Sequence, residues 1–312
     1  MGWRFDPGVA LGDGFRRVAT EEVCKVRDAL TDGAKDRAKA IHESRQSFKR
    51  LRALLRLARP SLGTDFDDEN RLWRDAGRRL AGSRDHTVLM ESFDKIAARC
   101  DGGLPREQVV RLHGHLAANG GEPDGEDVER GVRSVLGLLD AAEMRLADLD
   151  WPDDASALAK GLKRSQAQLR NKWKAARKSA DPAALHDWRK RVKDQAAQLR
   201  LFRQIVPPSL RSRHRDEKKT AELLGEEHDL WMLEERLAGD GLPAEALAAR
   251  DALLGEIGKR RGALRKEAFD LGKDFSSQKA KAFAEDITAA WEKAARANGN
   301  GKHTKRATSP AP

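Results

Sequence analysis

The chain has 312 residues, a formal net charge of +10, 35% charged residues, 5% aromatics and no tyrosine. That length can bury a real core in one large domain or two medium ones. The abundance of Ala, Leu, Arg, Lys and Glu predicts helices with little strand. No apolar run approaches the ~20 residues that span a bilayer, which argues against a helical membrane span. The positive balance favours acidic partners.

In chain order, the N-terminal "MGWRFDPGVALGDGFRR" has no signal-peptide core, so a cytoplasmic location is expected. Helices are predicted near 13–31, 35–59, 65–81, 84–99 and 105–118, before "NGGEPDG" (119–125) breaks the chain. One further helix is predicted over 126–149, ending at "DWPDD". The second half predicts helices near 155–179, 182–205, 208–224, 227–238, 243–271 and 276–296. The Gly-, Pro- and Ser/Thr-rich tail, residues 297–312, reads as disordered and basic. Cys24 and Cys100 lack any metal or redox spacing and read as packing residues in a reducing compartment. Trp73, Trp173, Trp188, Trp231 and Trp291 occupy apolar helical positions and are expected in the core. His113 and His115 read as surface residues.

The chain repeats itself. At an offset of 144, His42 meets His186, Arg45 meets Arg189, Lys49 meets Lys193, Arg56 meets Arg200 and Arg59 meets Arg203. Leu80, Asp85 and Leu89 meet Leu224, Asp229 and Leu233 at the same offset. The expected fold is therefore all-α and duplicated. One helical unit spans 10–150 and the other 151–296, each with enough helices for a four-helix bundle. A pseudo-two-fold axis should relate them.

At 100° per residue, His42, Arg45, Lys49, Arg52 and Arg56 fall within about an 80° arc. Phe48, Leu51, Leu54, Leu55 and Ala58 occupy another arc and should face the core. In the second copy His186, Arg189, Lys193 and Arg200 form the same stripe, with Ala196 in place of the Arg52 equivalent. Like charges at these spacings repel by a few tenths of a kcal/mol per pair. No acid interrupts either stripe to relieve that repulsion. The bland alternative is a solvated face, or one neutralised by carboxylates on neighbouring helices. Two matching stripes favour anion binding over that alternative. Further cations available to the stripes are Arg71, Arg74 and Arg78, and in the second copy Arg215, Lys218 and Lys219. The first helix of each half offers Arg16 and Arg17, or Lys163 and Arg164. Arginine grips phosphate oxygens in pairs, whereas lysine is a mobile point charge. A linear phosphate polymer suits such repeated contacts.

The segments "IHESRQSFKRLRALLRLARPSLG" and "LHDWRKRVKDQAAQLRLF" are followed by "LAGSRDHTVL" and "LLGEEHDLWML". Together they resemble the two repeats of a CHAD domain, the conserved-histidine α-helical domain, over roughly residues 10–296. The resemblance implies two four-helix bundles around a basic central cavity. It also implies binding of inorganic polyphosphate, often at polyphosphate granules. Carried over by motif position are His42, Arg45, Lys49, Arg52, His186, Arg189 and Lys193; Ala196 departs from the pattern. The acidic catalytic tunnel domain that sometimes accompanies CHAD domains is not matched, so no enzymatic activity is expected.

Other readings have less support. His42 and His186 lack an HExxH or an i,i+4 carboxylate partner, so no metal and no cofactor is expected. Asp85 and Asp229 are expected to begin helices and favour their dipoles, or else to buttress an Arg or His of the stripes. No Walker A, GxGxxG or GxSxG pattern is found. The alternatives kept open are a metal-dependent phosphohydrolase acting on a phosphate polymer and a helical nucleic-acid-binding protein. Nucleic acid is the less expected partner, because single-strand binding needs exposed stacking aromatics. No membrane partner is expected, since the basic helices lack an exposed apolar face.

Overall fold

A computed structural model describes residues 2–33, 36–80, 84–100, 104–118, 125–239, 242 and 244–299, with 84 and 85 described in backbone only. Among them are twelve α-helices and no strand. In chain order these are α1 (Leu11–Asp32), α2 (Arg37–Leu62), α3 (Asp65–Arg79), α4 (Arg84–Arg99), α5 (Arg106–Ala118) and α6 (Gly125–Leu139). They continue with α7 (Ala142–Asp148), α8 (Ala155–Ser179), α9 (Pro182–Leu201), α10 (Pro208–Ala238), α11 (Leu247–Ser277) and α12 (Ala280–Ala297). The expected tail falls almost wholly in 300–312, outside the described residues, as do positions 119–124 of the expected break.

Local chemistry sets several helix ends. The Asp36, Asp154 and Asp181 carboxylates each accept a backbone N–H three residues on, from Lys39, Ala157 and Ala184. That satisfies one of the donors a helix start leaves unpaired. Pro182 follows its cap at the first helical position, where its missing N–H costs nothing. α2 runs past Pro60 to Leu62 and stops at Gly63, whose φ of 55° suits a residue without Cβ.

Three expected boundaries are corrected. The single helix over 126–149 is two, α6 and α7. Arg27 of α1 donates to the Leu139 carbonyl at 3.1 Å and to Asp140 at 3.1 Å, occupying the carbonyl at the end of α6. Conversely, the predicted helices 208–224 and 227–238 are one continuous helix, α10. α11 runs beside it and clasps the join: Arg260 pairs with Glu226 at 2.7 Å, and Arg261 and Arg265 pair with Glu227 at 2.9 and 2.7 Å. Asp229 therefore lies mid-helix and does not begin a helix. α11 itself continues beyond 271 to Ser277.

The apolar residues form two clusters, and each draws on both halves of the chain. One unites α1, α2, α3, α6 and α7 with Leu158 and Leu162 of α8 and with Phe283, Ile287 and Trp291 of α12. The other unites Leu89, Phe93 and Ile96 of α4 and Leu112 and Leu116 of α5 with α9, α10 and α11. Trp73, Trp173, Trp188 and Trp291 are buried, whereas Trp231 is half-buried. Cys24 and Cys100 are half-buried. His113 and His115 are half-buried as well, not fully on the surface; His113 lies edge-on to Phe93 and 3.6 Å from Asp94.

α2 is covered on two sides. Phe48, Leu51, Leu54, Leu55 and Ala58 face the core as expected. Ala53 and Leu57 are also buried. Gln198 of α9 donates to the Ala53 carbonyl at 2.9 Å. Gly161 of α8 lies so near that a Cβ there would sit 1.8 Å from the Leu57 carbonyl oxygen. Only a residue without a side chain permits that approach. The basic stripe is left in the angle between the two covered sides, where His42, Arg45, Arg52 and Arg56 are half-buried and Lys49 is exposed.

Candidate anion-binding site

The stripes of α2 and α9 meet at one set of concavities. The first, about 460 Å³, is lined by His42, Arg45 and Lys49 of α2, His86 of α4, Arg189 and Lys193 of α9, and His228, Asp229 and Arg236 of α10. Its lining holds five arginines and lysines against a single carboxylate, Asp229. The second, about 720 Å³, is lined from α2, α8 and α9 by Lys49, Arg50, Arg52, Arg56, Lys172, Lys190 and Arg191, with Asp187 and Asp194. The third, about 1170 Å³, takes Arg200, Arg203, His214 and Lys218, but also Glu91, Glu222, Glu226 and Asp229. Gln46, Arg189 and Lys193 line all three and mark where they meet.

Arg189 sits at that meeting point. Its guanidinium fills the space that a side chain at position 225 would need: a Cβ on Gly225 would lie 2.9 Å from Nη2. Its Nε is buried with no hydrogen-bond partner. Burial pushes its pKa down, opposed by the charge of Asp229. A desolvated guanidinium with an unused donor is well placed to gain from an incoming anion. Arg45 makes no ion pair with any described carboxylate. Lys49 is exposed.

The far end of the α2 stripe differs. Arg52 Nε donates to Asn70 at 3.1 Å, and burial lowers its pKa to about 10, with Arg56 adding to the effect. Arg56 donates to Asp194 at 3.2 Å, and Arg191 approaches the other oxygen of that carboxylate at 3.1 Å. Burial lowers the Arg56 pKa and Asp194 opposes it. A neighbouring carboxylate thus neutralises part of this end, as the bland alternative requires.

The histidines take unequal places. His42 lines the first concavity, with its Nε2 3.4 Å from the Gln46 amide nitrogen. His186 does not line it; its ring packs at a tilt of 32° against His228, which does, with centroids 4.5 Å apart. Burial lowers the pKa of His186 to about 4, with Lys190, His228 and Arg189 adding to the effect. Burial also lowers the pKa of His228, followed by Arg189.

Other candidates stand apart from the three concavities. Arg16 and Arg17 pair with Asp13 and Glu21 along a shallow groove on α1. Arg74 and Arg78 share Asp75, and Arg71 pairs with Asp68. Lys163, Arg164, Arg215 and Lys219 are exposed and line none of the three. Sequence reasoning passed over Gln46, Arg50, Lys190, Arg191 and Arg236, together with His86 and His228. The two histidines carried a signal: each lies next to a repeated aspartate, in "RDH" and "EHD". Among the described residues, no three of His, Cys, Asp and Glu cluster so as to hold a metal ion. No described helix is long and apolar enough to cross a membrane.

Comparison with curated proteins finds no match. The family model of the CHAD domain matches residues 17–238, which include both stripes and the whole of α10.

Proposed function

Since the chain belongs to the CHAD domain family, we propose that it binds inorganic polyphosphate without cleaving it, with polyphosphate granules as its place of action. The observation that carries this reading is the first concavity, where cations from α2, α9 and α10 face one carboxylate. A chain of phosphates supplies the missing negative charge at a spacing that several cations can share. In this reading the duplication concerns the two stripes and the hollow between them. The cores are shared, because each apolar cluster mixes both halves. The burial of six of the seven tryptophans favours polyphosphate over single-stranded nucleic acid, which binds through exposed aromatic faces.

The test is retention of long-chain polyphosphate at fixed ionic strength, with and without divalent metal. Retention without phosphate release supports the proposal, and release with added metal supports a phosphohydrolase. Arg45→Glu with Arg189→Glu should weaken retention by about a hundredfold or more at unchanged helicity. Parent-like binding by the double variant would reject the stripes as the contact surface.

A further inference from the structure

The paired imidazoles of His186 and His228, tilted 32° to one another, occupy an electrostatic position that neither stripe requires. Both rings have a buried Nδ1 with no hydrogen-bond partner. The Trp231 ring also packs against His228, with ring centroids 5.4 Å apart. Three carboxylates stand near enough to favour an imidazolium, Asp187 beside His186 and Asp229 and Glu227 beside His228, and other cations already engage each. Asp187 is gripped by Lys172 of α8 at 2.8 Å and by Lys190 of α9 at 3.2 Å. Glu227 is buried and accepts from Arg261 and Arg265 of α11 at 2.9 and 2.7 Å. Asp229, which favours a proton on His228, faces Arg189, which disfavours one more strongly. A proton added before any polymer binds would join a cluster of cations whose nearby counter-charges are already engaged.

An anion in the concavity beside His228 reverses this balance. Its charge would offset Arg189 and Lys190 and leave an imidazolium favourable. We propose that anion binding here is proton-linked: the His186–His228 pair takes up a proton as a phosphate polymer occupies the concavity, so mild acid tightens the grip. This rests on the polyphosphate reading given above and adds its regulation. Linkage makes the effect reciprocal, so whatever the polymer does to proton affinity, the proton does to polymer affinity. With its pKa lowered to about 4 by burial and the neighbouring cations, His186 stays neutral at pH 5.5 before any polymer binds. If the bound polymer returns it to its ordinary ~6.5, affinity at pH 5.5 should be about tenfold higher than at pH 8.

The experiment uses the full chain and long-chain inorganic polyphosphate, whose internal phosphates stay ionised across this range. Affinity is measured at pH 5.5 and pH 8 at one ionic strength. Calorimetry near pH 6, in two buffers of different ionisation heat, counts protons exchanged on binding. Expected are about tenfold tighter binding at pH 5.5 and net proton uptake. His228→Gln, and separately His186→Asn, should bring the affinity ratio towards one and reduce the uptake. Imidazole resonances of the polymer-free protein check that each variant folds and that the remaining ring stays neutral at pH 5.5. Retention with no pH dependence or no uptake, or a ratio that both folded variants preserve, overturns the proton link and leaves polyphosphate binding standing. Absence of retention at either pH overturns the polyphosphate reading and the proton link together.

Discussion

α2 and α9 carry the same His-x-x-Arg-x-x-x-Lys spacing, yet the structure gives the two rows different neighbours. On α2, His42 reaches the first concavity and Arg45 is left without a described carboxylate, while Arg56 is engaged by Asp194. On α9, His186 is withdrawn onto His228, and Arg189 is desolvated against a helix whose Gly225 makes room for it. Lys193 then joins all three concavities. Helical period decides which side chains share a face. What approaches that face is decided by other helices, and here that separates an arginine available to an anion from one already neutralised.

Four substitutions would break or sharpen this contrast. The largest effect is expected at Gly161, which lets α8 lie against the Leu57 carbonyl of α2. Gly161→Val should force those helices apart, lowering unfolding free energy by about 3 kcal/mol in denaturant titrations. Unchanged stability would mean that the close approach does not hold the α2 row in place. Next comes Gly225→Ala. The new methyl meets the end of a flexible side chain, so Arg189 can swing aside. Helix propensity improves by up to ~1 kcal/mol, so stability should hold or rise. Polyphosphate affinity should nonetheless fall about tenfold as the guanidinium leaves its position. Parent-like affinity would show that the placement of Arg189 does not matter. The smallest effect is expected at Arg56→Gln, about twofold in affinity, against about tenfold for Arg45→Gln. Equal losses would mean that Asp194 does not compete with the polymer for Arg56.

Much of this was legible in the residues. Capping aspartates, the apolar period of α2 and the recurrence at 144 positions required only local rules and self-comparison. The weak points lay where a distant partner intervenes. "GEE" at 225–227 reads as a break, because glycine is a poor helix former and charged residues follow it. Three α11 arginines and the space needed by Arg189 keep the helix running, and no local pattern reports either. The same holds for Leu139, whose carbonyl is taken by Arg27 from far back in the chain. Arg16, Arg74 and Lys163 met the rule "basic and near a stripe", but each lies on a helix turned to another surface or to its own local acid.

The residues alone determined the helical class, the two matching basic rows and their family, because backbone periodicity and motif spacing are written along the chain. Tertiary structure decided which cations are neutralised, which histidine faces the hollow, and that α4 and α5 complete a core with α9, α10 and α11. The physical reason is range. Hydrogen-bonded helices are set within a few residues, whereas desolvation and ion pairing depend on groups brought together from positions more than a hundred residues apart.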